Sequence, residues 1–166
     1  GVTPAQAPGP NDDVYFTGAS NQQTIRTPVG NGTFRNLFFT STDAYVFSGC
    51  SFDIYGSLSA NGKLTINGGY YYFKATGAYT IDMGTDEQMV NHARWYFQGV
   101  GGSCQLVNHE FNSATADWYL YEGDFSTNSY NLSLDQFSIY SATSPRTIQI
   151  TDTLTTRRTF GISDRD

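Results

Sequence analysis

The sequence predicts an all-β protein, and more narrowly a right-handed parallel β-helix, which is a solenoid of short strands. Two observations support this prediction: short strand candidates fill the chain, and a local pattern of glycine, apolar residue and polar run recurs from Gly32, Gly62 and Gly123. These glycines are 30 and 61 residues apart, about one and two units of thirty. Fixed periods of that size are typical of solenoids. A β-sandwich is the alternative, because glycine-rich sandwiches produce similar spacings.

Short segments rich in β-branched and aromatic residues follow one another after residue 13. Nearly all are bounded by Gly, Asn, Asp, Ser or Pro, as strand ends require. Apolar and polar residues alternate in several of them, for example in 64–67 and 132–135, which predicts one inward and one outward face. In chain order the predicted strands are 14–16, 24–26, 34–39, 44–47, 52–55, 63–66, 70–74, 79–83, 94–98, 104–107, 118–121, 130–134, 137–140 and 147–150.

One segment, residues 85–93, has helical character. Thr85 is a possible N-cap and is followed by the acidic residues Asp86 and Glu87. The segment is short and is equally consistent with a loop.

The first ten residues differ from the rest, since they hold three of the five prolines and little that can pack. We predict a proline-rich linker or tail over 1–10 and a single solenoid domain over 11–166. A chain of 166 residues is long enough for one real core. The glycine at position 1 and the lack of a stop signal at the end lead us to expect a fragment of a longer chain.

The composition excludes two classes of partner. The net charge is −6 and only two lysines occur, so no basic stripe for nucleic acid is visible. No apolar run approaches the length of about 18 residues that a membrane helix needs. Charged residues make up 14% of the chain, against about 25% in a typical soluble protein.

Two cysteines, Cys50 and Cys104, allow two interpretations. In an exported protein they can form a disulfide. As two unpaired thiols they can instead be buried like small hydrophobic residues, which we favour.

The aromatic residues, 16% of the chain, are the main candidates for a binding function. Consecutive rings in segments 70–73, 95–97 and 118–121 cannot all point inward on a strand. Exposed rows of rings bind sugars or proteins, or they cover one side of a solenoid. We name six candidate ligand-binding residues: Tyr70, Tyr72, Trp95, Trp118, Tyr119 and Tyr121.

Acidic residues suggest a weak candidate metal site. Asp12 and Asp13 are candidate calcium ligands, although aspartates that start turns are the common explanation for such pairs. We expect no other cofactor.

Asp82, Asp86 and Glu87 lie near His92 and Arg94 in the sequence, and a polysaccharide lyase or hydrolase needs groups of these kinds. The sequence places no carboxylate pair in a cleft, so we predict that the chain is not an enzyme.

Segments 10–16, 54–74, 95–102 and 123–132 resemble exported, adhesin-like β-helical repeat proteins of the surface of Bacteroidetes. The resemblance implies a secreted or cell-surface, non-catalytic structural or adhesion segment, with glycans or neighbouring domains and subunits as partners. It supplies no catalytic residues to transfer. This chain is far shorter than most members and shows no C-terminal sorting domain. The alternative function is a carbohydrate-binding module that uses exposed aromatics, and the third is a polysaccharide lyase or hydrolase.

Overall fold

The computed structural model describes residues 7–17, 23–26, 30–40, 44–60, 64–84, 88–140, 142–143 and 145–163. Within these ranges all helical or extended segments are β-strands and none is a helix, so the all-β prediction is confirmed. In chain order the strands are β1 (Val14–Phe16), β2 (Gln23–Ile25), β3 (Gly32–Phe34), β4 (Leu37–Phe39), β5 (Tyr45–Ser48), β6 (Ser51–Ile54), β7 (Leu58–Ser59), β8 (Leu64–Phe73), β9 (Ala78–Asp82), β10 (Gln88–Phe97), β11 (Ser103–Leu106), β12 (Phe111–Asn112), β13 (Ala116–Leu120), β14 (Asp124–Ser126), β15 (Leu132–Tyr140), β16 (Ile148–Gln149) and β17 (Leu154–Ser163).

The strands form two sheets, and the chain passes from one to the other on every coil. One sheet stacks β1, β4, β7, β9, β11, β14 and β16, and the other contains the remaining, mostly longer strands. Every pairing between described strands is parallel. The result is a parallel β-solenoid of about six turns. The solenoid prediction is therefore confirmed, and the antiparallel β-sandwich is excluded.

The predicted repeat of thirty residues is wrong. Leu58 pairs with Ile81, and Ile81 pairs with Leu106, so these two coils are 23 and 25 residues long. Trp118 pairs with Phe137 only 19 residues later. The glycine pattern does not mark equivalent places. Its first copy opens β3 in the larger sheet, the third leads into β14 in the smaller one, and the second begins outside the described residues.

The helical interpretation of residues 85–93 is also wrong for its described part. Residues 88–97 form β10, which pairs with β8 on one side and β13 on the other. A local helix propensity cannot compete with two parallel ladders that bury Ala93 and Trp95.

The interior consists of side-chain columns that run along the solenoid axis. In-register parallel strands place equivalent residues of successive coils above one another, about 4.8 Å apart. Two columns of the larger sheet contain eight aromatic rings, and all of them except Phe160 are buried. One column is Phe52, Tyr71, Trp95, Trp118, Phe137 and Phe160, and the other is Ile54, Phe73, Phe97, Leu120, Ile139 and Ile162.

Sharp corners need glycine and small polar residues. Gly69 lies within β8 at φ +113°, and a Cβ there would lie 2.0 Å from the backbone oxygen of Cys50. Only glycine fits this bend without strain. The amide of Asn91 donates to the side-chain oxygen of Asn67 on the coil before it. Two asparagines of successive coils are therefore hydrogen-bonded to each other at this corner.

Both ends of the stack expose interior residues. At the N-terminal end a cavity of about 450 Å³ is lined mainly by apolar side chains such as Val14, Phe16 and Phe34. At the other end the last members of the two columns, Phe160 and Ile162, are 52% and 74% exposed. Residues 7–10 of the predicted linker precede β1, with Ala7 and Pro8 beside the cavity, and residues 1–6 lie outside the described part of the chain.

Candidate functional site

The outward face of the larger sheet carries a row of tyrosines, here called the tyrosine ladder. The strand register creates it, because Tyr72, Tyr96 and Tyr119 are directly paired residues on β8, β10 and β13. Their neighbours Trp95 and Trp118 point inward, as the alternation of a strand requires. The ladder consists of Tyr70, Tyr72, Tyr96, Tyr119, Tyr121 and Tyr140.

The rings of the ladder lie face to face. The centroids of Tyr72 and Tyr96 are 4.9 Å apart at an interplanar angle of 18°, and those of Tyr96 and Tyr119 are 5.0 Å apart at 15°. Tyr121 and Tyr140 stack at 4.6 Å and 2°. These separations follow the strand spacing of about 4.8 Å, so neighbouring rings of the ladder cover each other's faces. Hydrophobic stacking of a sugar needs an open ring face.

Burial in this row changes the acidity of the phenols. It raises the pKa of Tyr96 to about 12, against the opposing effect of the nearby Arg94. Burial and then the negative charge of Asp117 raise the pKa of Tyr119. Around neutral pH the phenols of Tyr96 and Tyr119 are therefore uncharged.

Two cations contact the rings that β8 contributes to the ladder. Arg94 lies 5.6 Å from the ring centroid of Tyr70 and donates a hydrogen bond of 3.2 Å to its hydroxyl oxygen. Lys74 lies 5.7 Å from the ring centroid of Tyr72 and forms an ion pair of 2.8 Å with Asp53. Each cation therefore covers part of a ring that the stack leaves open.

A polar cluster lies next to the ladder, formed by His92, Asp117, Asp135 and Arg158 from four neighbouring strands, β10, β13, β15 and β17. Arg158 bridges the two buried carboxylates, with Nη2 3.0 Å from Asp117 Oδ1 and Nε 2.6 Å from Asp135 Oδ2. The hydrogen bond to Asp135 is the main cause that raises the pKa of Arg158. An open cleft of about 280 Å³ adjoins the cluster.

The structure brings four of the six predicted site residues together, namely Tyr70, Tyr72, Tyr119 and Tyr121. The prediction is wrong for Trp95 and Trp118, which are fully buried in the interior columns and cannot reach a ligand. Whether the four tyrosines bind a ligand stays a prediction.

Sequence reasoning missed two ladder members and most of the polar cluster. The alternation around Trp95 places Tyr96 on the opposite face of the strand, which is the signal for its place in the ladder. Tyr140 is the last residue of the predicted strand 137–140 and is not among the predicted site residues. For Asp117, Asp135 and Arg158 no local signal exists, because only the register of distant coils brings them together.

The other candidate residues have partners of their own. Both oxygens of Asp13 accept hydrogen bonds of 2.8 Å from Arg35, which lowers the pKa of Asp13, and Asp12 accepts one from the backbone N–H of Gly9. Calcium at Asp12 and Asp13 stays a prediction. Asp82 is 2.8 Å from His109 Nδ1. Asp86 and Glu87 lie outside the described residues.

The two cysteines are buried and form no disulfide, as favoured from the sequence. The thiol of Cys50 donates a hydrogen bond of 3.1 Å to the backbone oxygen of Ile25. Burial raises the pKa of the Cys104 thiol strongly. A thiol held neutral in this way is a poor nucleophile.

Fold and site together define this chain as a parallel β-solenoid with stacked rings on both its inner and outer faces. Comparison with protein-family models, with curated proteins and with solved structures finds no match. In the described part of the chain there is no helix long and apolar enough to cross a membrane.

Proposed function

We propose that this chain is a non-catalytic structural segment of an exported cell-surface protein, acting as a stiff spacer or adhesion element. The observation that carries the proposal is the tyrosine ladder, whose ring faces stack on each other and not towards solvent. The ladder spans four neighbouring coils, from β8 to β15, so three steps of about 4.8 Å give it a length of roughly 14 Å along the axis. Stacked rings inside and outside link each coil to the next, as a rod requires.

The surface location rests on composition and resemblance. A low charge content with abundant Ser, Thr, Asn and Gly is shared with the exported repeat proteins that the chain resembles. Treatment of intact cells that produce the protein with a membrane-impermeant biotin reagent tests this point. We expect labelling of the protein without cell lysis, and labelling only after lysis would contradict an exterior location.

The partner that the open ends favour is a second copy of the chain, stacked end to end. Phe160 and Ile162 extend the interior columns at one end, and an apolar cavity opens at the other. The outer edge of β17 pairs with no other described strand, and such edges recruit further strands. We expect sedimentation to show concentration-dependent association that the substitution Ile162→Lys abolishes. A strict monomer at high concentration would contradict this partner.

A glycan array with the labelled protein tests the structural function against the runner-up, a carbohydrate-binding module. We expect no glycan to bind. The runner-up is favoured by Tyr70, which is 40% exposed and lies 6.4 Å from its ring neighbours, so that its ring is the least covered of the ladder. Binding that Tyr70→Ala abolishes would establish the runner-up. Tyr55→Ala is the matched control, because Tyr55 is similarly exposed outside the ladder.

The absence of catalysis is part of the proposal. The buried carboxylates of Asp117 and Asp135 share the guanidinium of Arg158, and the carboxylate of Asp82 is held by Asn108 and His109. We expect no release of reducing or unsaturated sugars from polysaccharides. Release that Asp117→Asn abolishes would contradict the proposal.

A further inference from the structure

Three potential metal ligands converge at one corner of the solenoid, and each comes from a different coil. The candidate ligand atoms of His92, Asp117 and Asp135 all lie within 4.8 Å of one another. His92 Nδ1 is 3.4 Å from Asp135 Oδ2 and 3.9 Å from Asp117 Oδ2. Both distances are longer than a good hydrogen bond. Arg158 does not contact Oδ2 of Asp117, and an ion about 2.1 Å from each ligand fits between that oxygen and His92 Nδ1.

One carboxylate of the cluster carries an unsatisfied oxygen. Asp135 is only 2% exposed, and its Oδ1 is buried without a hydrogen-bond partner, while its Oδ2 accepts from Arg158 and lies 3.4 Å from His92 Nδ1. Such oxygens are rare because burial without a partner is costly. A cation bound between the three side chains would satisfy this oxygen.

The ion pairs with Arg158 leave room for a cation. The guanidinium contacts Oδ1 of Asp117 and Oδ2 of Asp135, so the other oxygen of each carboxylate is not used by it. Two carboxylates and one guanidinium sum to a charge of about −1, which favours a divalent cation. Since His92 is more than half exposed, an ion can reach the site from solvent.

We propose that His92, Asp117 and Asp135 bind a divalent first-row transition-metal ion of the Zn²⁺ or Mn²⁺ class. An imidazole nitrogen beside two carboxylates suits these ions better than calcium or magnesium, which take oxygen ligands. His92 and Asp117 also line the open cleft that Arg94, Tyr119 and Gln136 border, so the site adjoins solvent. The ion joins three coils, so it adds a cross-link to the solenoid that the stacked rings do not supply.

Isothermal titration of tag-free protein, first stripped with EDTA, tests the proposal with ZnCl₂ and MnCl₂ as probes. We expect one ion per chain and a melting temperature that rises with the concentration of the ion. The substitutions His92→Gln and Asp135→Asn should each weaken binding by more than about tenfold. The matched control His109→Gln should leave binding unchanged, because His109 pairs with Asp82 on another edge of the coil.

Two results would overturn the proposal. One is the absence of saturable binding by the unsubstituted protein with both probes. The other is binding that His92→Gln leaves intact, which would place the ion elsewhere. The exposed His92 side chain can be replaced without loss of the fold, and a melt in EDTA verifies this. His92→Gln therefore decides the question even if Asp135→Asn does not fold.

Discussion

Replacement of Trp95 by alanine tests the interior stack at its centre. Trp95 is fully buried, and its ring contacts Tyr71 at 5.2 Å, Phe111 at 5.3 Å and Trp118 at 5.7 Å between centroids. Removal of a buried tryptophan costs about 3–5 kcal/mol of unfolding free energy, transfer and cavity included. For a domain of this size the melting temperature should fall by roughly 6–20 °C. Urea unfolding followed by circular dichroism measures the change.

Two matched variants make this experiment selective. Trp95→Phe keeps a ring in the column and removes an indole N–H that is buried without a hydrogen-bond partner, so it should cost less than about 1.5 kcal/mol. Tyr96→Ala, on the outer face of the same strand, loses two ring stacks and should cost about 1–3 kcal/mol. A larger loss for Tyr96→Ala than for Trp95→Ala would refute the assignment of the two faces.

Three further variants test the corner, the core and the ladder. In urea unfolding, Gly69→Ala should lower the free energy of unfolding by about 1–3 kcal/mol because of its positive φ, and the contact of the new Cβ with the Cys50 backbone should lower it further. Gly77→Ala is the control and should be neutral, because a Cβ there meets no atom within 4 Å. Ile66→Asp should abolish cooperative unfolding by circular dichroism because it buries an unpaired charge, and the same change at the outward Thr65 should not. The pKa of the Tyr96 phenol is about 10 in the unfolded chain and about 12 in the folded chain. The contribution of this phenol to the free energy of unfolding should therefore be complete below pH 10 and be lost between pH 10 and 12, and Tyr96→Phe should show a less steep loss. An identical pH profile of the urea midpoint in both proteins would contradict the raised pKa.

Local sequence patterns predicted the fold class because a solenoid is built from local units. Short strands with turn residues at both ends predicted an all-β solenoid, and alternation separated Tyr96 from Trp95 and Phe97 correctly. Alternation could not decide which of these faces was buried, since both carry rings. The indole was the better candidate for the core, because a tyrosine hydroxyl keeps its hydrogen bonds at the surface.

The period and the site could not be predicted in the same way. Coil lengths vary between 19 and 25 residues, because the turns between strands differ in length, and a motif search finds the turns and not the coils. His92, Asp117, Asp135 and Arg158 are separated by about one coil each. Their proximity therefore depends on the register of four strands, including the shift at β15 and β17 that sets Asp135 beside Arg158.

The central claim is that the outward tyrosines stack on one another and serve the structure. A double-mutant cycle of Tyr96→Ala and Tyr119→Ala measures this directly, because the two ring centroids are 5.0 Å apart. We predict a coupling free energy of about 0.5–1.5 kcal/mol in urea unfolding, and none in a control cycle of Tyr96 with the distant Tyr55. A coupling within error of zero for Tyr96 and Tyr119 would mean that the rings do not stack in solution. Their faces would then be open to a ligand, which would contradict the structural role.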